Sequence, residues 1–120
     1  MKRTALARTT PLRRVSAKRK AHYVSDDGKT GVAHMARVKA LPCVICWRSG
    51  PSDAHHVIHD RYGARKASDF AVIPLCVACH RYPHPLAIHT DKAAWRERNG
   101  ADFEFLPVVA DMLAGQLNAP

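Results

Sequence analysis

The chain has 120 residues, 47% of them apolar, which suits one domain with one modest core. Its formal charge of +9 is concentrated in the first twenty residues, which carry eight Lys or Arg and no acid; the other hundred hold eleven basic and ten acidic groups. No apolar run approaches the roughly 18 residues of a membrane span, and no charged-then-apolar leader is present, so a cytoplasmic protein with no membrane partner is expected.

The first segment, residues 1–24, reads as a basic tail. Lys2, Arg3, Arg8, Arg13, Arg14, Lys18, Arg19 and Lys20 share no helical or strand period, and Pro11 interrupts them. Low hydrophobicity with like charge predicts disorder in isolation. The natural partner of such a tail is a polyanion, because each phosphate contact releases counterions. Nucleic acid is therefore expected to bind there without sequence preference.

Residues 25–120 read as one folded α+β domain. After a turn at Asp26-Asp27-Gly28, a helix is predicted over 30–41, with Val32, Met35, Ala36 and Val38 as its apolar stripe and Pro42 as its stop. Ala54 to Ile58 reads as a short strand and Arg61 to Ser68 as a basic loop. The run AVIPLC carries a proline, which fits an edge strand or the approach to a metal knuckle. A helix is predicted from Val77 through His80 toward His84. A second covers 90–98 with Thr90 as its cap, and Asn99-Gly100 ends it. The last covers Phe105 to Leu117, with Pro107 in its first turn.

All four cysteines fall in two C-x2-C pairs, Cys43/Cys46 and Cys76/Cys79, separated by 29 residues. Two such hooks in a chain expected in the cytoplasm predict a tetrahedral structural zinc site. A redox pair is the weaker alternative, since two matched motifs leave no spare thiol. In so small a domain the metal would contribute much of the folding free energy.

The gap between the knuckles contains "SDAHHVIHD", with His55, His56 and His59 inside five positions. Crowded imidazoles suit a core poorly, because every ring carries a polar nitrogen that needs a partner. Beyond the second knuckle, "CHRYPH" sets His80 and His84 at i and i+4, the same face if the segment is helical. Three of His55, His56, His80 and His84 can hold a divalent cation while the fourth handles a proton.

The pattern C-x2-C … AHHV … IPLC-x2-CH-x3-H resembles the HNH (ββα-metal) endonucleases. Within them it is most similar to the phage recombination-enhancement nucleases, the RecA-dependent Ref family and its small prophage relatives. The likeness spans residues 34 to 113, including "HMARVKALPCVIC", "RKASDFAVIPLC" and "AAWRERNGAD". It implies a small ββα-metal, treble-clef-like domain with a four-cysteine zinc site and flanking helices. It also implies a monomeric, metal-dependent DNA endonuclease of phage recombination in the bacterial host cytoplasm, with the RecA filament as a further partner. In that register His55 is a ligand of the catalytic metal, His56 the general base, and His80 and His84 complete the metal site. An imidazole with a pKa near roughly 6.5 can deprotonate water at neutral pH, and the metal (Mg²⁺, Mn²⁺ or Zn²⁺) stabilises charge on the phosphate.

One position departs from the family. HNH proteins place an asparagine that orients the base histidine, and Ala71 stands there; Asp69, two residues earlier, is the candidate replacement. Arg61, Arg65 and Lys66, with His59 and Asp60, are expected on a DNA-facing loop. His34 and His89 are expected to be structural or surface residues, and Trp47 and Trp95 to pack in the core. The competing reading is a non-catalytic zinc-knuckle DNA-binding protein, which the missing asparagine favours.

Overall fold

A computed structural model of the protein describes residues 17–18, 21, 25–61 and 67–115. Helix α1 runs Asp26–Lys39, four residues earlier than its apolar stripe suggests, because Ser25 caps it and accepts the N–H of Gly28 on Oγ at 3.1 Å. Only part of the stripe is used: Val38 is buried and Met35 packs on the core, while Val32 stays half exposed. Gly31 sits inside this helix, where glycine costs about 1 kcal/mol relative to alanine.

Pro42 leads into the first knuckle. The N–H of Cys43 donates to the Arg48 carbonyl at 3.0 Å, and the Trp47 N–H returns to the Cys43 carbonyl at 2.9 Å. Strands β1 (Asp53–His56) and β2 (Val72–Leu75) then form an antiparallel pair, with His55 opposite Ile73 and His56 opposite Val72. A two-stranded sheet tolerates Pro74 because both of its strands are edges. The Pro74 carbonyl accepts the Val44 N–H at 3.0 Å, which ties the first knuckle to β2.

Helix α2 covers only Val77–His80 and does not reach His84. Pro83 and Pro85 supply no N–H to continue the ladder, and Tyr82, preceding a proline, avoids helical backbone. Helix α3 covers Lys92–Asn99. Its cap is Asp91, which accepts from Ala94 N at 3.0 Å. Thr90, expected as the cap, instead donates its hydroxyl to the His84 carbonyl at 2.7 Å. Gly100 ends α3 at φ +94°, a conformation that favours glycine. A 3-10 turn, Asp102–Phe105, precedes α4 (Leu106–Leu113).

The core joins both ends of the domain. Val38 of α1, Val72, Ile73 and Leu75 of β2, Ile88, Trp95 of α3, and Val109 and Met112 of α4 form one buried cluster with Cys43, Cys76 and Cys79. Trp95 is fully buried and its ring stands edge-on to Phe105 at 6.0 Å between centroids. The result is a small α+β protein with a two-stranded sheet. Among the described residues no helix is long and apolar enough to cross a membrane.

Candidate metal centres and the imidazole site

The two knuckles bring their four thiols together. The sulfur atoms of Cys43, Cys46, Cys76 and Cys79 all lie within 4.8 Å of one another, and Cys46 Sγ stands 3.5 Å from Cys76 Sγ. Four thiolates at about 2.3 Å from one tetrahedral ion would be about 3.8 Å apart, so the set has the spacing of a metal site. No disulfide joins them. The Cys43 thiol is pushed down to about 4 by a hydrogen bond from Cys79, with backbone N–H groups of Cys46, Cys76 and Ile45 adding to it. Donating to Cys43 pushes the Cys79 thiol up. Cys43 is thereby drawn toward the thiolate, the form a metal takes.

A second group gathers three imidazoles: His55 from β1, His80 from the end of α2, and His89 from the loop before α3. Ring centroids are 5.1 Å apart for His55 and His80, 5.2 Å for His55 and His89, and 4.8 Å for His80 and His89. The free nitrogens follow from the partners. A carboxylate only accepts, so His55 donates Nε2–H to Asp102 Oδ2 at 3.0 Å, and His80 donates Nδ1–H to Asp53 Oδ2 at 2.9 Å. That leaves His55 Nδ1 and His80 Nε2 with lone pairs. His80 Nε2 faces His89 Nε2 at 3.2 Å, close to the roughly 3.3 Å between two nitrogens on one tetrahedral ion. Carboxylates behind ligating histidines fix ring orientation and raise ligand basicity.

Burial favours the neutral form of His55 and His89, the form a metal needs. Burial pushes the His55 pKa down against the pull of Asp102, and burial with the neighbouring rings of His80 and His55 pushes His89 down. Burial grades across the group: His55 is buried, His80 partly so, and His89 is exposed. An ion held here would keep an open side toward solvent, as catalytic sites with three protein ligands do.

The carboxylates are themselves anchored. Arg81 grips Asp53 through two hydrogen bonds of 2.8 Å and holds its carboxyl below the usual range. Asp102 is completely buried; it accepts from His55, from Ile58 N at 2.6 Å and from His59 N at 3.2 Å. Burial raises its pKa, and these bonds outweigh burial to leave it lowered.

His56 leaves β1 on the other side of the strand, as alternation requires. It donates Nε2–H to Asp69 Oδ1 at 2.9 Å, and both side chains are about one-fifth exposed. Asp69 is thus the residue that holds His56, while Ala71 serves only through its backbone, accepting the Val57 N–H at 3.1 Å. That bond leaves the lone pair of His56 on Nδ1.

Three expectations differ from this arrangement. His84 stands outside both groups, exposed, with its Nδ1 accepting the Leu86 N–H at 3.1 Å; without a helix beyond His80, the i and i+4 spacing brings no shared face. His89, expected to be a structural or surface residue, is exposed and takes the third position. His59 is buried rather than on a DNA-facing loop: its Nδ1 accepts the Asp102 N–H at 2.9 Å and its Nε2–H goes to the Lys92 carbonyl at 2.9 Å. Asp60 is paired with Arg96 at 2.8 Å. Lys18 and Arg61 are exposed, whereas Lys2, Arg3, Arg8, Arg13, Arg14, Arg19, Lys20, Arg65 and Lys66 lie outside the described residues.

The fold and these clusters define a small α+β protein with a four-thiol group and a three-imidazole group, each able to hold a metal ion. Residues 28–114 match the family model described as "Protein of unknown function (DUF968)", and the chain belongs to that family. No curated protein and no solved structure matches it.

Proposed function

We propose that this protein is a metal-dependent DNA endonuclease of the HNH kind, hydrolysing phosphodiester bonds, with a structural zinc on Cys43, Cys46, Cys76 and Cys79. One observation carries the reading: consecutive residues of β1 are committed to two different tasks. His55 joins a three-imidazole group backed by Asp102 and Asp53. His56 forms a separate, partly exposed pair with Asp69. The order of two strands followed by a helix ending in His80 agrees with a ββα-metal arrangement.

In this reading His56 Nδ1 takes the proton of the attacking water, and Asp69 stabilises the imidazolium that results. A positioned base of this kind accounts for roughly 10²–10⁴ in rate. His55, His80 and His89 would hold a divalent cation (Mg²⁺, Mn²⁺ or Zn²⁺), which supplies charge stabilisation at the phosphate and leaving oxygen. His55 and His80 keep one nitrogen bare because Asp102 and Asp53 occupy the other. The basic segment of residues 1–20 binds the DNA backbone. Action in phage or prophage recombination, in a bacterial cytoplasm and with a RecA filament, extends the reading by resemblance.

The test is nicking of supercoiled plasmid with Mg²⁺, Mn²⁺ or Zn²⁺, with and without RecA filaments. Wild type should nick, and His56→Ala should lose about 10²-fold or more in rate with zinc content unchanged. Binding without nicking under every condition would transfer the protein to the non-catalytic DNA-binding reading, with Ala71 as the reason.

A further inference from the structure

Gly31 is the sixth residue of α1, in the interior of a 14-residue helix where glycine weakens the helix. What faces it gives the reason. A Cβ at this position would stand 3.0 Å from Asp69 Cβ and 3.1 Å from Asp69 Oδ2, tighter than ordinary carbon contacts. The other oxygen of the same carboxylate, Oδ1, receives the Nε2–H of His56 at 2.9 Å.

Asp69 belongs to neither strand nor helix. It sits in a turn closed by Ala71 N on the Ser68 carbonyl at 2.9 Å, with Phe70 N on Ser68 Oγ at 3.2 Å. The turn lies along one face of α1, with Asp69 over Gly31 and Phe70 against His34, ring centroids 5.2 Å apart. Gly31 and His34 are three residues apart and so share that face. The Asp69 carboxylate is therefore bounded by helix backbone behind and by the His56 ring in front.

We infer that Gly31 is a positioning residue for His56, acting through Asp69. Its missing side chain lets the carboxylate lie close on α1, at the depth from which Oδ1 reaches His56 Nε2. An alanine would force Asp69 back by a few tenths of an ångström, and because the contact includes Asp69 Cβ, the whole side chain shifts and Oδ1 with it. The His56 ring would then lose the partner that fixes its proton on Nε2 and its lone pair on Nδ1. The catalytic half of this inference rests on the endonuclease reading, whereas the effect on the ring does not.

The experiment uses the full chain labelled with ¹⁵N, and long-range ¹H–¹⁵N correlation to read the His56 tautomer. Wild type should show the Nε2–H form, Asp69→Ala a redistributed ring, and Gly31→Ala a shift toward the Asp69→Ala pattern. Plasmid nicking by Gly31→Ala should fall about 5–10-fold in kcat with KM unchanged, a fraction of the roughly 10²-fold that a misplacement of about 1 Å brings. The double variant Gly31→Ala/Asp69→Ala should be no slower than Asp69→Ala alone.

Thermal unfolding supplies a readout independent of chemistry. In an Asp69→Gly background, Gly31→Ala should raise the Tm, since the helix gains and nothing is displaced; in wild type that gain should be missing. An unchanged His56 tautomer in folded Gly31→Ala, equal Tm gains in both backgrounds, or additive rate losses would each overturn the inference. A shifted ring in a protein that never nicks DNA would uphold the positioning role and remove the nuclease reading.

Discussion

His84 and His89 are five residues apart on the same loop, yet only His89 reaches the imidazole group. The difference comes from what closes around each ring. His84 Nδ1 is used locally by Leu86 N, whereas the Ile88 N–H donates to the Cys79 carbonyl at 2.9 Å and carries His89 back beside His80. Removing one of three ligands from a metal site costs more than removing a supporting residue, which alone costs roughly 10–100-fold in affinity. Titration of the full chain with Co²⁺, followed by its visible spectrum, should therefore give two ions per chain in wild type and in His84→Ala. His89→Ala should bind one, with the thiolate bands intact. Loss of the second ion in His84→Ala instead would reverse the assignment. The thiol group and His55 are legible from sequence because their motifs are local. His89 is not, because pairing His80 with His84 at i and i+4 requires a helix that Pro83 and Pro85 end. Those two prolines are the available signal: they rule out a shared helical face and leave the ring pairing to a loop closure.

At the scale of elements, the hairpin cannot stand alone. A two-stranded sheet is marginal in water, and β1 and β2 contribute four residues each. Three supports hold it: the knuckle on Pro74, α1 and α4 packed against the strands, and the buried Asp102 bridging Ile58 and His59 to the 3-10 turn. β2 is readable from a short apolar run, β1 from a short segment after the Gly50-Pro51 turn, and both lie within two residues of their expected ends. Asp102 is not readable. It lies 47 residues from His55, and nothing local distinguishes it from a helix-start aspartate. Because three of the four knuckle cysteines, Cys43, Cys76 and Cys79, sit inside the core, the thiol site and the fold should fail together. Stripping metal with a strong chelator at neutral pH, or Cys76→Ser, should abolish the cooperative thermal transition seen by circular dichroism. Structural zinc sites of this type contribute on the order of 10 kcal/mol, comparable to a small domain's whole stability. A transition that persists unchanged after metal removal would show that the apolar core suffices.

Across the whole molecule, charge and chemistry are separated. The excess of +9 is almost entirely in the first twenty residues, while the domain that carries the imidazoles is nearly neutral. Within that domain two cations are already engaged: Arg81 holds Asp53 and Arg96 holds Asp60. Neither is free to neutralise phosphate without giving up its partner. On the endonuclease reading, backbone affinity for DNA would come mainly from the tail, and its signature would be the dependence of binding on salt. Each phosphate neutralised contributes about −0.9 to the slope of log K against log salt on duplex DNA. Deleting residues 1–20 removes eight cations, so the slope should become shallower by several, to a limit of roughly 7 if every one of them makes contact. Fluorescence anisotropy on a labelled duplex at a series of salt concentrations measures this directly. Zinc content and the thermal transition should be unchanged in the truncated chain, since the buried cluster described for the domain runs from Val38 to Met112. A slope that does not move on truncation would relocate the DNA contact to the domain face near Arg61, and would separate the tail from the proposed nuclease altogether.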